Sequence, residues 1–125
     1  MMADYKHPRI FADLTLVFKK CYAAHQGLPK IFRIAVGEKI LHEITECMRL
    51  VVLANFKKES GEDLVVGLGS IKELRGRIEI IKAYFLITWE MGHYSHLFFG
   101  ELDERIVEIS KQAANWEGWM KAQKL

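Results

Sequence analysis

Apolar residues recur at three- and four-residue steps through four successive segments of this chain. This spacing is the period of an α-helix with one buried face, whereas a half-buried strand would alternate apolar and polar residues. The four apolar rows are Phe11, Leu14, Phe18 and Cys21; Ile34, Gly37, Leu41, Ile44, Met48 and Val51; Leu64, Leu68, Ile71, Ile78 and Phe85; and Phe98, Leu102, Ile109, Ala113, Trp116 and Met120. One apolar face on each of four helices predicts an all-α protein that folds as a four-helix bundle.

Breaker and capping residues separate the four segments. Each of the two prolines stands just ahead of an apolar row, where a fixed φ and a missing N–H do no harm to a helix. Gly92 interrupts the chain before the fourth row, and Ser95 is the candidate N-cap there. Ser60, with Asp63 three residues later, is the corresponding candidate for the third helix.

These signals predict helices over residues 8–26, 29–58, 61–91 and 94–122 of one domain that spans 1–125. The second and third helices approach 30 residues, or roughly 40 Å at the α-helical rise. Long helices with short connections favour an antiparallel up-down-up-down bundle. We interpret Gly67 and Gly69, inside the third helix, as positions of close helix packing.

Composition limits the class of protein. Half of the 125 residues are hydrophobic and 27% are charged, which is ordinary for a folded helical domain. No apolar run approaches the roughly 20 residues of a membrane-spanning helix, and the first residues lack the apolar core of a signal peptide. Both cysteines, Cys21 and Cys47, fall on or beside the apolar rows, so we expect reduced core residues in a cytoplasmic protein.

Positive charge is concentrated in the first half of the chain. Residues 1–58 carry ten basic and five acidic side chains, hence +5, although the whole chain carries only +2. The candidate phosphate-binding groups there are Lys19, Lys20, Lys30, Arg33, Lys39, Arg49, Lys57 and Lys58. A basic surface of this kind is typical of nucleic-acid binding, but solvated helix faces produce the same pattern. Charge alone leaves both interpretations open.

Three cations fall at the edge of the predicted apolar faces: Arg75 and Lys82 on the third helix and Arg105 on the fourth. A half-buried cation needs a partner. The candidate partners are Glu73, Glu79, Glu101 and Glu108. Alternatively, the aliphatic stems cover the core while the charged ends reach water, or the cations contact another subunit or a ligand.

Catalytic and metal-binding patterns are missing from the sequence. A di-iron bundle places Glu-x-x-His pairs on facing helices, whereas Glu38 and His42 are four residues apart. His93 and His96 have no carboxylate or cysteine pair beside them that would complete a metal site, which favours surface or capping roles. We therefore expect a protein that is not an enzyme and that uses no metal or other cofactor.

Several short motifs follow one another along the chain: Leu-Pro-Lys at 28–30, Phe-Arg at 32–33, Gly-Glu-Lys-Ile at 37–40, Lys-Glu-Leu-Arg at 72–75, Val-Glu-Ile-Ser-Lys at 107–111 and Gly-Trp-Met-Lys at 118–121. In order and spacing they resemble the bacterial four-helix bundle protein family, over roughly residues 8–122. One branch of that family is the accessory variability determinant (Avd) of diversity-generating retroelements, which the last motif resembles most. A second branch is encoded in intervening sequences of ribosomal RNA genes and has no defined role.

The resemblance to the Avd branch implies a barrel-shaped homopentamer. It also implies binding to a reverse transcriptase and to template RNA or its DNA copy, largely without sequence preference, in support of mutagenic retrohoming. The residues that we expect to contact nucleic acid or partner are Lys19, Lys20, Lys30, Arg33, Arg49 and the motif-matching Arg75. The alternative is an oligomeric interaction module without nucleic-acid binding, in which Trp116 and Trp119 would contact other subunits.

Overall fold

The computed structural model describes residues 8–56 and 62–123, and the regular structure there is helical. Helix α1 is Pro8–His25, α3 is Glu62–Glu90 and α4 is His96–Lys121. Helix α2 consists of Lys30–Phe32, a π-helical turn at Arg33–Gly37 and Glu38–Phe56. The predicted cap at Ser60 and the candidate cations Lys57 and Lys58 lie outside the described residues.

The four described helices pack around one shared core. Helix α1 contacts α2, α2 contacts α3, α3 contacts α4, and α4 contacts α1, so each helix has two main neighbours. Each helix contributes a row of buried apolar side chains to the core. The prediction of an all-α protein with four mutually packed helices is confirmed, and the predicted apolar rows are buried or half-buried at every position except Ile34.

Ile34 is 57% exposed because it lies in the π-helical turn of α2, Arg33–Gly37. A π-helix accommodates more residues per turn than an α-helix, so it moves the following side chains around the helix axis. The buried positions at this end of α2 are Phe32 and Gly37, which are five residues apart rather than three or four. The prediction that Ile34 is buried is wrong for that reason, because it assumed a regular α-helical period.

Gly37 allows α2 to approach the turn that follows α1. A Cβ atom at this position would lie 3.0 Å from both His25 Cε1 and Leu28 Cδ1. Gly69, by contrast, is exposed and has no atom within 4 Å of its Cβ position, so close packing does not explain it. Gly67 and Ile71 are four residues apart on the buried face of α3. Gly69, two residues from each, lies on the opposite side of the helix and faces solvent.

The connection between α3 and α4 confirms the predictions for Gly92 and Ser95. Gly92 has a φ of +78°, a conformation that favours glycine. The His93 N–H donates to the Thr88 carbonyl oxygen at 2.9 Å and closes the C-terminus of α3. Ser95 Oγ then accepts a hydrogen bond from the backbone N–H of Phe98 at 3.1 Å and caps α4.

Within the ranges 8–56 and 62–123, no helix is both long enough and apolar enough to cross a membrane.

Candidate nucleic-acid interface

Three of the six cations predicted to bind nucleic acid or partner are paired with glutamates. Lys20 Nζ lies 3.9 Å from Glu101 Oε1, and Arg49 Nη2 lies 3.0 Å from Glu46 Oε1 on the same helix. The third pair joins Arg75 Nη1 to Glu117 Oε1 at 2.5 Å. The side-chain charge of each of these cations is therefore partly balanced within the chain.

The other three cations, Lys19, Lys30 and Arg33, have no carboxylate partner among the described residues. The Lys19 and Lys30 side chains are exposed and make no hydrogen bond or ion pair in the described part of the chain. Arg33 is half-buried, and its Nη1 donates to Oε1 of Gln26 at 2.8 Å. Because Gln26 is a neutral amide, it orients the guanidinium and leaves its charge uncompensated.

These three cations belong to neighbouring parts of the fold. Lys19 lies in the second half of α1, and Lys30 and Arg33 lie in the first turns of α2, just after the connection between the two helices. Arg49 lies farther along α2, and Arg75 lies on α3. Around the α1–α2 connection the structure thus leaves Lys19, Lys30 and Arg33 without a carboxylate partner among the described residues. Lys20, next to Lys19 on α1, is paired with Glu101.

Tyr22 is an exposed aromatic residue in the same region that the charge pattern did not identify. The residue is 66% exposed, and its ring stacks on that of Phe18, with centroids 5.9 Å apart and an interplanar angle of 26°. A sequence signal was present, because Tyr22 follows Lys19 by three residues and lies outside the apolar row. We define the α1–α2 surface as Lys19, Tyr22, Gln26, Lys30 and Arg33.

Glu117 is a second residue that sequence reasoning missed. Its side chain is only 7% exposed. The carboxylate accepts a hydrogen bond from Arg75 and forms an ion pair with Lys121, whose Nζ lies 3.1 Å from Oε2. Arg75 first, and then Lys121, hold the pKa of Glu117 below its usual range. Arg75 therefore joins α3 to α4, although none of the four glutamates proposed as partners from sequence contacts it.

The partners of the other edge cations differ. Lys82 Nζ lies 3.4 Å from Glu79 Oε2, in agreement with one of the proposed partners. Arg105 is half-buried and has no ion pair among the described residues. Among the described cations, the one with the most ion pairs is Arg77, which was not singled out from sequence. It contacts three glutamates on α2 and α3 at 2.9 to 3.9 Å: Glu43, Glu46 and Glu73.

Helix α3 exposes apolar side chains on the side away from the core. Ile80, Ala83 and Ile87 on α3, and Met91 directly after its last residue, follow one another at three- and four-residue steps and are all exposed. We call these four residues the α3 apolar face. Its end borders an apolar groove to which the start of α2 contributes, lined by Pro29, Ile31, Phe32, Ala35, Val36, Ile87, Met91 and His93. An apolar surface of this kind on a helix is typical of a protein-protein contact.

The two tryptophans near the end of α4 have different environments. Trp116 is 1% exposed and belongs to the core, so its expected contact with another subunit is wrong. It lies seven residues after Ile109, on the buried face, where a large ring fills the bundle interior. Trp119 is 43% exposed and remains available for such a contact.

Two histidines and both cysteines lie in positions that packing and hydrogen bonds explain. His93 packs edge-on against Phe32, with centroids 4.7 Å apart, and His96 Nδ1 accepts a hydrogen bond from Trp89 Nε1 at 2.9 Å. In the part of the chain that the structure describes, no group of three or more histidine, cysteine, aspartate or glutamate residues could hold a metal ion. Cys21 and Cys47 are buried free thiols, as predicted for reduced core residues.

The chain matches no family model, no curated protein and no solved structure. The interpretation of its function therefore depends on the motifs in its sequence and on the contacts described above.

Proposed function

We propose that this chain is a non-enzymatic, cytoplasmic accessory protein of a diversity-generating retroelement. In this proposal it binds a reverse transcriptase and template RNA or its DNA copy through basic surfaces, and so supports mutagenic retrohoming. The sequence motifs that resemble the Avd branch suggest the biological setting. One structural observation carries the nucleic-acid part: Lys19, Lys30 and Arg33 share one region, and none has a carboxylate partner among the described residues.

Unpaired cations suit phosphate binding because no internal ion pair has to be broken first. Lysine and arginine that contact phosphates release condensed counterions, and this release provides most of the sequence-independent affinity. Lys20, Arg49 and Arg75 are part of the proposed interface only if nucleic acid displaces their glutamates. We therefore rank Lys19, Lys30 and Arg33 ahead of them as the principal phosphate contacts.

The proposal includes a homo-oligomer, with a pentamer favoured by the family resemblance. The α3 apolar face supports it, because a second copy of the chain would remove Ile80, Ala83, Ile87 and Met91 from water. A ring of identical subunits would repeat the α1–α2 surface around one axis. Several weak contacts on one nucleic-acid strand would then act together and raise the overall affinity.

An antiparallel up-down-up-down course of the helices also belongs to the proposal. Two ion pairs between α1 and α4 support an antiparallel course of these two helices. Arg9, at the start of α1, pairs with Glu108 at 3.1 Å, whereas Lys20, late in α1, pairs with the earlier residue Glu101. Cross-linking between cysteines introduced at positions 9 and 108 and at positions 20 and 101 would test the arrangement.

A charge-reversal experiment tests nucleic-acid binding. The variant Lys30→Glu/Arg33→Glu should bind a fluorescein-labelled single-stranded RNA more weakly than the wild type, by fluorescence anisotropy at 50 to 200 mM salt. Loss of two phosphate contacts should also reduce the slope of log affinity against log salt by about 1.4, at roughly 0.7 per contact on a single strand.

The matched control for this experiment is Lys72→Glu/Lys111→Glu. Both lysines are exposed, have no ion pair among the described residues and lie outside the α1–α2 surface. The double control changes the net charge by the same amount, so it separates a local contact from a general effect of charge. Equal loss of affinity in both double variants would contradict an interface at the α1–α2 surface.

The second candidate is an oligomeric interaction module without nucleic-acid binding, or a protein of the ribosomal RNA intervening-sequence type. The α3 apolar face favours this candidate, since it provides an assembly surface that needs no nucleic acid. Light scattering at low and high salt, with and without RNA, distinguishes the two functions: apolar assembly persists in salt, whereas phosphate binding weakens steeply. A neighbouring reverse transcriptase gene with a template–variable repeat pair would support the retroelement setting, and a location inside a ribosomal RNA gene would support the alternative.

A further inference from the structure

The aromatic ring of Tyr22 packs against another ring and is exposed to solvent. One side of the ring stacks on Phe18, which is half-buried and packs against the core. The residue as a whole is 66% exposed. An exposed tyrosine held against a packed neighbour loses little conformational freedom when a planar ligand stacks on it.

Cations stand on both sides of Tyr22 along the chain. Lys19 precedes it by three residues, close to one helical turn. Gln26 follows it by four residues and orients the Arg33 guanidinium through the hydrogen bond of 2.8 Å. From Lys19 to Gln26 the rise is about 10 Å at 1.5 Å per residue. The order is therefore cation, aromatic ring, cation, within the reach of one or two nucleotides.

We propose that the α1–α2 surface binds single-stranded nucleic acid, with one base stacked on Tyr22 and the phosphates on either side contacted by Lys19 and Arg33. This inference rests on the proposed function and specifies the ligand of that surface. Unstacked bases on aromatic rings, with a basic track for the backbone, are the general mode of sequence-independent single-strand binding. No hydrogen bond to a base edge is needed, so every base is accepted.

A duplex fits this surface less well. Its bases are already stacked between neighbours and offer no free face to Tyr22. In a single strand, by contrast, a base can leave its neighbours at a small cost and stack on the ring. Stacking adds to the phosphate contacts without adding charge, so its contribution to affinity does not depend on salt in the way that phosphate contacts do.

The test uses fluorescence anisotropy with a labelled 12-nucleotide oligothymidine, the same strand with abasic sites, and a 12-base-pair duplex. Tyr22→Ala should bind oligothymidine about tenfold more weakly than the wild type, and Tyr22→Phe should bind as the wild type does, because it keeps the ring. The salt slope should be unchanged in Tyr22→Ala and reduced by about 0.7 in Lys19→Ala. The control Leu97→Ala removes another exposed, uncharged side chain, on α4, and should leave binding unchanged.

The abasic strand isolates the stacking contact. It keeps the phosphates, so the wild type should bind it about as weakly as Tyr22→Ala binds oligothymidine, and Tyr22→Ala should lose nothing further on it. If wild type and Tyr22→Ala bind oligothymidine equally, the stacking inference is overturned while the proposed function stands. The same holds if Tyr22→Ala weakens duplex and single-strand binding alike. If the wild type binds none of the three probes, both the inference and the proposed nucleic-acid function fail.

Discussion

Arg75 on α3 and Glu117 on α4 form an ion pair of 2.5 Å, and Lys121 approaches the other carboxylate oxygen of Glu117 at 3.1 Å. The Glu117 side chain is nearly buried, whereas Arg75 is about half exposed. The buried carboxylate therefore depends on two cations that reach it from the surface. This geometry gives Arg75 a structural role whether or not it also contacts a partner.

Replacing Glu117 with Gln should lower the free energy of unfolding by about 1 kcal/mol at pH 7, measured by urea denaturation. The value is modest because Arg75 and Lys121 can return to water when the pair is lost. Arg75→Ala should have an effect of similar size. The control Arg49→Ala removes an exposed pair within one helix and should leave stability nearly unchanged.

The contribution of Glu117 should also depend on pH. Because Arg75 and Lys121 lower its pKa in the folded state, the folded protein binds its proton less readily than the unfolded chain does. The stabilisation is therefore present above the ordinary glutamate pKa and is lost as pH falls through the lower folded value. The stability difference between wild type and Glu117→Gln should shrink below about pH 5. A difference that stays constant down to pH 2 would contradict this assignment.

Gly37→Ala should destabilise the protein by about 1 kcal/mol, because the new Cβ would press on the buried side chain of Leu28 and on His25. The matched control is Gly76→Ala. Gly76 is exposed on α3 and has no atom within 4 Å of its Cβ position, so alanine should stabilise the helix by about 0.5–1 kcal/mol. Thermal or urea unfolding of the two variants should therefore give changes of opposite sign.

Ser95→Ala should lower the free energy of unfolding by about 1 kcal/mol. It removes the oxygen that accepts a hydrogen bond from the Phe98 N–H at the start of α4. Ser95→Asp provides the control, because aspartate retains an acceptor and places negative charge at the helix N-terminus. Its unfolding midpoint should stay close to that of the wild type. If Ser95→Ala and Ser95→Asp were equally destabilised, the cap would not be the cause.

Cys21 and Cys47 should react slowly with thiol reagents in the native protein. Burial raises the pKa of both thiols to about 12, so very little thiolate is present at pH 8. Ellman's reagent should therefore detect almost no thiol until denaturant is added, and two thiols per chain afterwards. Fast labelling of native protein would contradict the buried positions of the two thiols.

The same shifts predict the dependence of stability on alkaline pH. In the unfolded chain, thiols ionise near pH 8.5, whereas in the folded protein they stay protonated up to about pH 12. The stabilisation from the raised pKa is complete below pH 8.5 and declines as pH rises above that value. Cys21→Ser/Cys47→Ser should show a smaller decline in stability between pH 8.5 and 10.

The sequence was sufficient to predict those features that depend on local physics. The three- and four-residue spacing of apolar side chains indicated the four helices, because that period follows from backbone geometry alone. Gly92 and Ser95 indicated the break before α4, because a positive φ and an N-cap hydrogen bond involve residues only a few positions apart. The buried state of the two cysteines followed from their positions on or beside the apolar rows.

Tertiary structure decided which residues meet across helices and where the helical period is interrupted. The π-helical turn of α2 placed Ile34 at the surface, a change of period that the spacing of apolar residues in α2 did not indicate. Glu117 is the partner of Arg75 although the two residues are 42 positions apart in the sequence. They meet only because α3 packs against α4.

The candidate interface divides in the same way. The sequence identified a basic first half, because charge is a property of composition. The pair of Arg49 with Glu46 lies within one helix, but helix packing decided that Lys20 and Arg75 meet glutamates of α4. Only the structure showed that Lys19, Lys30 and Arg33 meet no carboxylate among the described residues and that Tyr22 is exposed beside Phe18. The local spacing of apolar residues determines which segments can form amphipathic helices. Which side chains remain exposed, and which charged groups pair between helices, depends on how the neighbouring helices pack against them.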